Sequence, residues 1–153
     1  MSAQLDNLPA LRPMGEVDLD AVMAVERDVY PFPWTRGNFA DSLAAGYGCW
    51  VMDCARGLVG YGVLMLAANE SHLLNLTVAR EWQRQGFGHV LLRHFLHVAR
   101  AARAESLFLE VRPSNHAARE LYAGYGFRQL AVRRGYYPAA HGREDALLLG
   151  VTL

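Results

Sequence analysis

The pattern of apolar and polar positions changes period near residue 87. Before that point, apolar residues fall mostly into short stretches bounded by glycine, proline and polar turn residues, which is typical of β-strands. From Phe87 to Ala102, apolar residues recur at intervals of three and four positions. That spacing predicts an amphipathic helix with one face on a hydrophobic core. The chain therefore combines strands with at least one long helix.

Two short helices and four strands are predicted before that helix. A helical pattern follows Asp18, a candidate cap, and ends before Pro31 and Pro33, because proline cannot continue a helix. Thr35 can cap a second helix, which runs to about Ala45. The strands predicted in this part are residues 8–14, 48–53, 58–66 and 72–79.

The elements after the long helix complete the order. Residues 106–111 have the composition of a buried strand, and Ser114 can cap a helix that stops at Gly126. Two closing strands are predicted at residues 127–134 and 146–151. The order β-α-α-β-β-β-α-β-α-β-β predicts an α/β (α+β) fold with a mixed sheet flanked by helices. No linker or repeat divides the chain, so residues 1–153 are expected to form a single domain.

Composition limits the cellular setting. With 52% hydrophobic residues over 153 positions, one core can hold the fold without disulfides or a structural metal. The longest apolar-leaning run, residues 57–68, contains two glycines and is shorter than the roughly 20 residues of a membrane helix. Residues 1–15 lack the basic lead and apolar block of a secretory signal. We expect a cytoplasmic protein that does not interact with a membrane.

Charge is distributed unevenly along the chain. Residues 1–55 hold eight acidic and three basic residues, a net charge of −5, and the remainder carries +5. The acidic part could attract a basic partner, with Glu26, Asp28 and Asp41 as candidates. All 15 basic residues are arginine, which excludes lysine Schiff-base chemistry and a P-loop lysine.

The segment from Gln83 to Gly88 joins a predicted strand to the long helix. Glycines let backbone N–H groups turn toward a ligand, and a helix N-terminus adds a partial positive charge. Such a segment can bind phosphate, although a plain strand-to-helix turn has the same composition.

Two further segments make this loop more informative. The pattern Gln-x-x-Gly-x-Gly after a strand, the strand LFLEVRPSN and the helix AARELYAGYGF together closely resemble the GNAT family of acetyl-CoA-dependent N-acetyltransferases. The resemblance extends from about Leu11 to Leu153 and implies the GNAT fold, with a mostly antiparallel central sheet. The strings RRGYYP and GREDALLLGV, with the early Pro33-Trp34 and Phe39, are most similar to members that acetylate the N-terminal alanine of a ribosomal protein.

The resemblance implies a role for each matching residue. Glu110 corresponds to the general base and Tyr122 to the general acid, while Asn115 would contact the cofactor. Strand residues Leu76, Thr77 and Val78 would pair with the pantetheine arm of acetyl-CoA and direct an N–H toward its thioester carbonyl. The pyrophosphate loop would comprise Gln83, Arg84, Gln85, Gly86, Phe87 and Gly88. The chain departs from the family at Ala79-Arg80-Glu81, where relatives often have an Asp-Pro turn.

Several of these residues also have an ordinary structural interpretation. Glu110 could pair with Arg112 or Arg119 and be only a structural carboxylate. Tyr122 could be a core ring with a satisfied hydroxyl. The aromatic residues Trp34, Tyr136 and Tyr137 either line the acceptor groove or cover the core. The histidines show no metal-ligand spacing, and His89, His94 and His97 are expected on the solvent face of the long helix.

The resemblance therefore predicts direct transfer in a ternary complex, because neither cysteine lies in a nucleophile motif. The expected acceptor is the N-terminus of a basic ribosomal protein, with no metal and no direct contact to nucleic acid. A monomer is expected, with a weak dimer left open. Two alternatives remain at this point: another acceptor, such as a small amine or a different protein N-terminus, and a non-catalytic acyl-CoA-binding module.

Overall fold

The computed structural model describes residues 8–153. Residues 1–7, which include Asp6 of the acidic part and the start of the segment tested for a secretory signal, lie outside the described residues. Within residues 8–153, none of the helices has the length and apolar character needed to cross a bilayer.

The described chain follows the predicted order of elements. Most predicted boundaries differ from the observed ones by no more than two residues, but β6 continues five residues beyond its prediction and β7 begins four residues earlier. The strands are β1 (Ala10–Pro13), β2 (Gly48–Cys54), β3 (Gly57–Ala67), β4 (Glu70–Val78), β5 (Ser106–Val111), β6 (Arg128–Ala139) and β7 (Gly142–Thr152), and the helices are α1 (Leu19–Val29), α2 (Arg36–Ala44), α3 (Phe87–Ala101) and α4 (His116–Gly124).

The strands form a seven-stranded sheet in the order β1-β2-β3-β4-β5-β7-β6. Strand β4 pairs with β5 in parallel, from Glu70 opposite Ser106 to Leu73 opposite Leu109. The pairs β1/β2, β2/β3, β5/β7 and β6/β7 are antiparallel. This mixed, mostly antiparallel sheet with helices confirms the predicted fold class. Strand β4 continues to Val78 beyond the last residue that pairs with β5.

The described residues divide into two compact units, and the first comprises residues 8–64 and 75–94. Its buried core includes Val22 of α1, Phe39 of α2, and Val51 and Tyr61 of the strands. Helix α2 begins as predicted at a capping box: Thr35 accepts from the Asn38 N–H, and the Asn38 side chain accepts from the Thr35 N–H. These reciprocal bonds satisfy two donors at the helix start.

The second unit comprises Met65–Leu74 and Phe95–Leu153. Its most buried side chains include Phe95 of α3, Leu107 of β5 and Ala146 of β7. Gly126 follows α4 with a φ of +86°, which confirms the predicted left-handed stop. Strand β6 is largely exposed along its length.

Three local predictions require correction. Ser114 does not cap α4; Asn115 does, because its Oδ1 accepts from the Ala118 N–H, whereas both Ser114 donors bind Glu144. Asp18 occupies the cap position of α1, but its carboxylate binds Arg12 and the Gly15 N–H instead of the helix. His94 is partly buried against Trp50, with ring centroids 4.3 Å apart, so its predicted solvent position is wrong.

Candidate active site

The glycine loop has a left-handed conformation at two positions. Arg84 has a φ of +63° and Gly86 one of +88°. Helix α3 then begins at Phe87, and Gly88 is its second residue, so only Gly86 of the two glycines needs the left-handed region. A Cβ added at Gly86 would meet no atom within 4 Å, which leaves open space beside the loop.

Two glutamine side chains hold this loop in place. The Gln83 side chain donates to the Val78 carbonyl at 3.0 Å, and the Gln85 side chain donates to the Glu81 carbonyl at 3.1 Å. The loop is thereby tied to the end of β4 and to the short 3₁₀ turn at Arg80–Trp82. Arg80 binds Asp28 across this turn, at the point where the sequence departs from the family pattern. Of the six predicted loop residues, the first four lie on the connection between β4 and α3, and Phe87 and Gly88 form the first positions of α3.

Strand segment Leu76–Val78 lies beside Tyr30. The Tyr30 hydroxyl is 2.8 Å from Thr77 Oγ1 and 3.3 Å from the Leu76 carbonyl oxygen. On the other edge of the strand, the Thr77 carbonyl is directed at Gly60, where an added Cβ would lie only 2.6 Å from it. Glycine at position 60 therefore permits the close approach of β3 to β4.

Glu26 is a buried carboxylate that the sequence pattern did not identify as part of a cluster. It is 2% exposed and accepts three hydrogen bonds: from the Tyr61 hydroxyl at 2.7 Å, the Trp34 N–H at 3.0 Å and the Asn75 side chain at 3.3 Å. The expectation that Glu26 contributes to a surface field is therefore wrong. The available signal was its position on the apolar face of α1, where glutamate is seldom buried without partners.

Glu110 lies near the end of β5 and has one carboxylate oxygen without a hydrogen bond. Its Oε1 is 3.6 Å from Arg133 Nε, whereas Oε2 is buried and has no hydrogen-bond partner among residues 8–153. The arginines considered as structural partners bind elsewhere: Arg112 pairs with Glu144, and Arg119 donates to the Pro113 carbonyl. Buried carboxylate oxygens are normally hydrogen-bonded, so this exception indicates a position for an external donor.

Tyr136 and Tyr137 lie in the same unit as Glu110, and Arg133 contacts both Tyr136 and Glu110. Their rings are 5.0 Å apart, with Arg133 over Tyr136 and Arg112 over Tyr137. Burial, with a smaller contribution from the Glu110 charge, raises the pKa of Tyr137 to about 12. The tyrosine hydroxyl therefore stays protonated at neutral pH.

A bulge in β6 positions these tyrosines. The register against β7 shifts between Arg133 and Tyr137, and Gly135 within it has a φ of +60°. Asp145 accepts from the Gly135 N–H at 2.9 Å, and Arg143 donates to the Gly135 and Tyr136 carbonyls. Bulges redirect side chains near active sites. Sequence reasoning missed Asp145 and Arg143, which hold the bulge, because the only local signal was a glycine between charged and aromatic residues.

The remaining predicted residues lie on elements of both units. In the second unit, Tyr122 of α4 is buried and packs against Phe127 with ring centroids 5.5 Å apart. Asn115 uses its carbonyl oxygen for the helix cap, which leaves the amide nitrogen to donate. In the first unit, the ring of Trp34 packs against Phe39, and the backbone N–H of Trp34 donates to Glu26. The structure thus groups Glu110 with Tyr136 and Tyr137, and groups Trp34 with the Glu26 cluster.

Among the described residues, neither a metal-binding cluster nor a cysteine forms part of the candidate active site. In the described part of the chain, no three His, Cys, Asp or Glu side chains are grouped so that they could hold a metal ion. Cys49 and Cys54 are free thiols, and burial raises the pKa of Cys49, which makes it a poor nucleophile.

The chain is similar in sequence and fold to known acetyltransferases. The model of the acetyltransferase (GNAT) family matches residues 19–127. The [ribosomal protein bS18]-alanine N-acetyltransferase of Escherichia coli K12 is 33% identical over 136 residues, which cover 89% of this chain and 92% of the relative. A putative enzyme of the same name from Bacillus subtilis is 31% identical over 146 residues, covering 94% of this chain and 95% of the relative.

A solved structure supports the same relationship. The crystal structure of the ribosomal-protein-S18-alanine N-acetyltransferase from Escherichia coli aligns with a TM-score of 0.89 and 31% identity, covering 95% of this chain and 94% of that one. The fold and the sequence pattern are therefore shared over almost the whole length.

Proposed function

The chain belongs to the GNAT family of acetyltransferases, and from that premise we propose that it acetylates the N-terminal alanine of the ribosomal protein bS18. The acetyl group passes from acetyl-CoA directly to the α-amine in a ternary complex. The acceptor is the one named for the relatives from Escherichia coli and Bacillus subtilis. Residues 1–153 act as a single acetyltransferase domain, with the acceptor's basic N-terminal segment as the part recognised.

The observation that carries this proposal is the carboxylate of Glu110. Its buried Oε2 lacks a hydrogen-bond partner among the described residues, and its Oε1 is 3.6 Å from Arg133, beyond ordinary hydrogen-bond length. A carboxylate in this state can accept a proton from an ammonium group, directly or through one water. Glu110 is therefore the general base.

An α-amine suits a single carboxylate base better than a lysine does. A protein α-amine has a pKa of about 7.7–8.0 and a lysine side chain one of about 10.4, so deprotonating lysine costs about 3.5 kcal/mol more. Glu110 needs to remove only a weakly held proton from an N-terminus. The neutral nitrogen then forms the new N–C bond as the C–S bond breaks.

Tyr122 acts as the general acid. The departing sulfur carries the electron pair of the broken C–S bond, and a tyrosine O–H can protonate it. Helix α4 holds Tyr122 in a buried position, where its ring packs against Phe127. The proton taken by Glu110 and the proton given by Tyr122 balance, so the step yields an amide and a free thiol.

The predicted cofactor-binding residues fit acetyl-CoA, which provides a thioester-activated acetyl group when bound. The open space beside Gly86 lets a pyrophosphate approach the backbone N–H groups of residues 85–88, and Arg84 adds a positive charge. The backbone of Leu76, Thr77 and Val78 pairs with the pantetheine arm. Gln83 shapes the loop, and Asn115 donates to the cofactor through its amide nitrogen.

Tyr136, Tyr137 and Trp34 contribute to acceptor recognition in this proposal. Tyr136 is 45% exposed, which leaves its ring available to a peptide. The enzyme works in the cytoplasm, where ribosomal proteins are made, as a monomer and without direct contact to nucleic acid.

The decisive experiment offers the purified protein acetyl-CoA and a peptide with the N-terminal sequence of bS18. We expect one acetyl group on the N-terminal alanine by mass spectrometry, with thiol release in equal amount. The matched control is the same peptide with a blocked N-terminus and its lysines intact, which should remain unmodified. Acetylation of the blocked peptide or of small amines in preference to the alanine peptide would assign another acceptor. Absence of thiol release with every amine would instead indicate a non-catalytic acyl-CoA-binding module.

A further inference from the structure

A chain of hydrogen bonds connects buried Glu26 to the hydroxyl of Tyr30. Trp34 N–H and the Asn75 NH₂ group can only donate, and the Tyr61 hydroxyl donates as well, so the carboxylate of Glu26 receives three donors. These contacts orient the Asn75 amide with its nitrogen toward Glu26. The amide oxygen is therefore directed at Thr77.

The direction of each bond is then determined along the chain. Asn75 Oδ1 can only accept, so the Thr77 hydroxyl donates its single proton to it at 2.7 Å. Thr77 Oγ1 must consequently accept from Tyr30 at 2.8 Å. The other neighbour of the Tyr30 hydroxyl, the Leu76 carbonyl at 3.3 Å, is also an acceptor. The only proton of Tyr30 is thus engaged, and its oxygen retains lone pairs that can accept.

The Tyr30 hydroxyl oxygen lies beside β4, on the edge of the strand that faces away from β3. The Thr77 carbonyl is directed at β3, and the Ala79 N–H donates to Val59 of β3 at 2.8 Å. Backbone groups of successive strand residues point to opposite edges, so the Leu76 carbonyl is on the edge away from β3. Tyr30 lies at that edge, beside the segment assigned to the pantetheine arm. Burial also raises the pKa of Tyr30 to about 12, so the phenol stays neutral at working pH.

We propose that the Tyr30 oxygen accepts an N–H hydrogen bond from the acceptor's α-amine, and that Glu26 is a positioning residue that keeps this oxygen an acceptor through Asn75 and Thr77. The inference rests on the proposed function, because it assumes an amine acceptor. A bond from one N–H to Tyr30 leaves the nitrogen lone pair directed elsewhere, toward the thioester. The Trp34 N–H bond to Glu26 ties the turn after Tyr30 to the same carboxylate.

The first test is Tyr30→Phe, which removes only the hydroxyl oxygen. We expect KM for the alanine peptide to rise about tenfold, the effect of losing one hydrogen bond to an amine, while KM for acetyl-CoA stays within about twofold. The matched control is Tyr47→Phe, the same change in another partly buried tyrosine of the first unit, packed on its core outside this chain of bonds. An unchanged peptide KM in Tyr30→Phe, with the wild type active, would overturn the inference. A wild type inactive on the peptide would instead overturn the proposed function.

The second test asks whether the chain of hydrogen bonds from Glu26 controls Tyr30, by changing Thr77, the link in contact with Tyr30. Thr77→Val has a similar shape but no hydroxyl, so the Tyr30 proton keeps only the longer contact to the Leu76 carbonyl, at 3.3 Å, and peptide KM should rise severalfold. Thr77→Ser retains the hydroxyl and should recover most of the loss. Equal peptide KM in the two variants would show that the chain of bonds does not control Tyr30.

The third test compares two peptides on the wild-type enzyme, so its main outcome does not depend on the folding of any variant. Two peptides each add one methyl group to the N-terminal alanine: N-methylalanine, which loses one N–H, and 2-aminoisobutyrate, which keeps both. We expect kcat/KM to be about tenfold or more lower for the N-methyl peptide. The difference should shrink in Tyr30→Phe. Equal kcat/KM for the two peptides in the wild type would contradict the bond to Tyr30.

Discussion

The two partly or fully buried carboxylates Glu26 and Glu110 differ in how their oxygens are satisfied. Glu26 is 2% exposed, and its oxygens receive three donors from three different segments. Glu110 has one distant arginine and one buried oxygen without a hydrogen-bond partner among the described residues. A carboxylate with satisfied oxygens stabilises a local arrangement, whereas an unsatisfied one can take a proton. Burial alone therefore does not identify a catalytic acid or base.

The largest effect is expected at Tyr122, the residue proposed as the general acid beside the proposed base Glu110. Tyr122→Phe should lower kcat by about 10²–10⁴-fold, the range for a positioned acid, with little change in acetyl-CoA affinity. The change removes one oxygen from a ring that remains packed on Phe127. Steady-state kinetics and equilibrium binding of acetyl-CoA measure the two quantities. A kcat within a few-fold of wild type would remove Tyr122 from the acid role.

Replacement of glutamate by glutamine should lower mainly kcat at Glu110 and mainly the free energy of unfolding at Glu26. Glu110→Gln should lower kcat by about 10–10²-fold, less for an α-amine than for a lysine acceptor, and should shift activity toward higher pH, where more of the amine is already neutral. Glu26→Gln should instead reduce the free energy of unfolding by about 2 kcal/mol, because an amide NH₂ would face one of three buried donors. Denaturant unfolding and pH–rate profiles of both variants measure this contrast, and matching profiles would contradict it.

Two glycines with left-handed backbone conformations, Gly86 and Gly46, separate the effect of the proposed cofactor loop on acetyl-CoA binding from that of general backbone strain. Gly86→Val should raise KM for acetyl-CoA about tenfold, because the side chain fills the space for the pyrophosphate and strains a φ of +88°. Gly46→Val is the matched control, since Gly46 has a φ of +76° and open space around it. The two variants should lose similar stability. An equal change in acetyl-CoA KM would assign the effect to general strain.

The smallest effect concerns the acidic part of the chain. Screening limits exposed charges to a reach of about 8 Å at physiological ionic strength. Several acids are already paired, including Asp18 and Asp53 with Arg12, and Asp28 with Arg80. We expect kcat/KM for a basic peptide to fall with salt, and Asp41→Asn to reduce this dependence by no more than about twofold. A salt-independent wild type would show that the acidic segment is only a solvated surface.

Local patterns in the sequence were sufficient to predict the elements and the loop. Apolar periodicity, proline positions and the Thr35 cap act within a few residues, so the order of strands and helices was correct. The cap of α4 was assigned one residue early because Ser114 and Asn115 are both good caps, and only the distant Glu144 decides which one is free. The roles assigned to Glu110, Tyr122 and the glycine loop came from the resemblance to the GNAT family, and they stay predictions.

Only the tertiary structure determined which charged side chains have hydrogen-bond or ion-pair partners. The partners of Glu26 come from residues 34, 61 and 75, and the bulge beneath Tyr136 depends on Asp145 and Arg143 from the next strand. No periodicity encodes such pairings, because hydrogen bonds between segments far apart in sequence depend on register and side-chain direction. The sequence by itself determined the elements and the residue types available for acetyl transfer. The fold decided that Glu26 accepts three hydrogen bonds, and that Glu110 has a buried oxygen without a hydrogen-bond partner among the described residues.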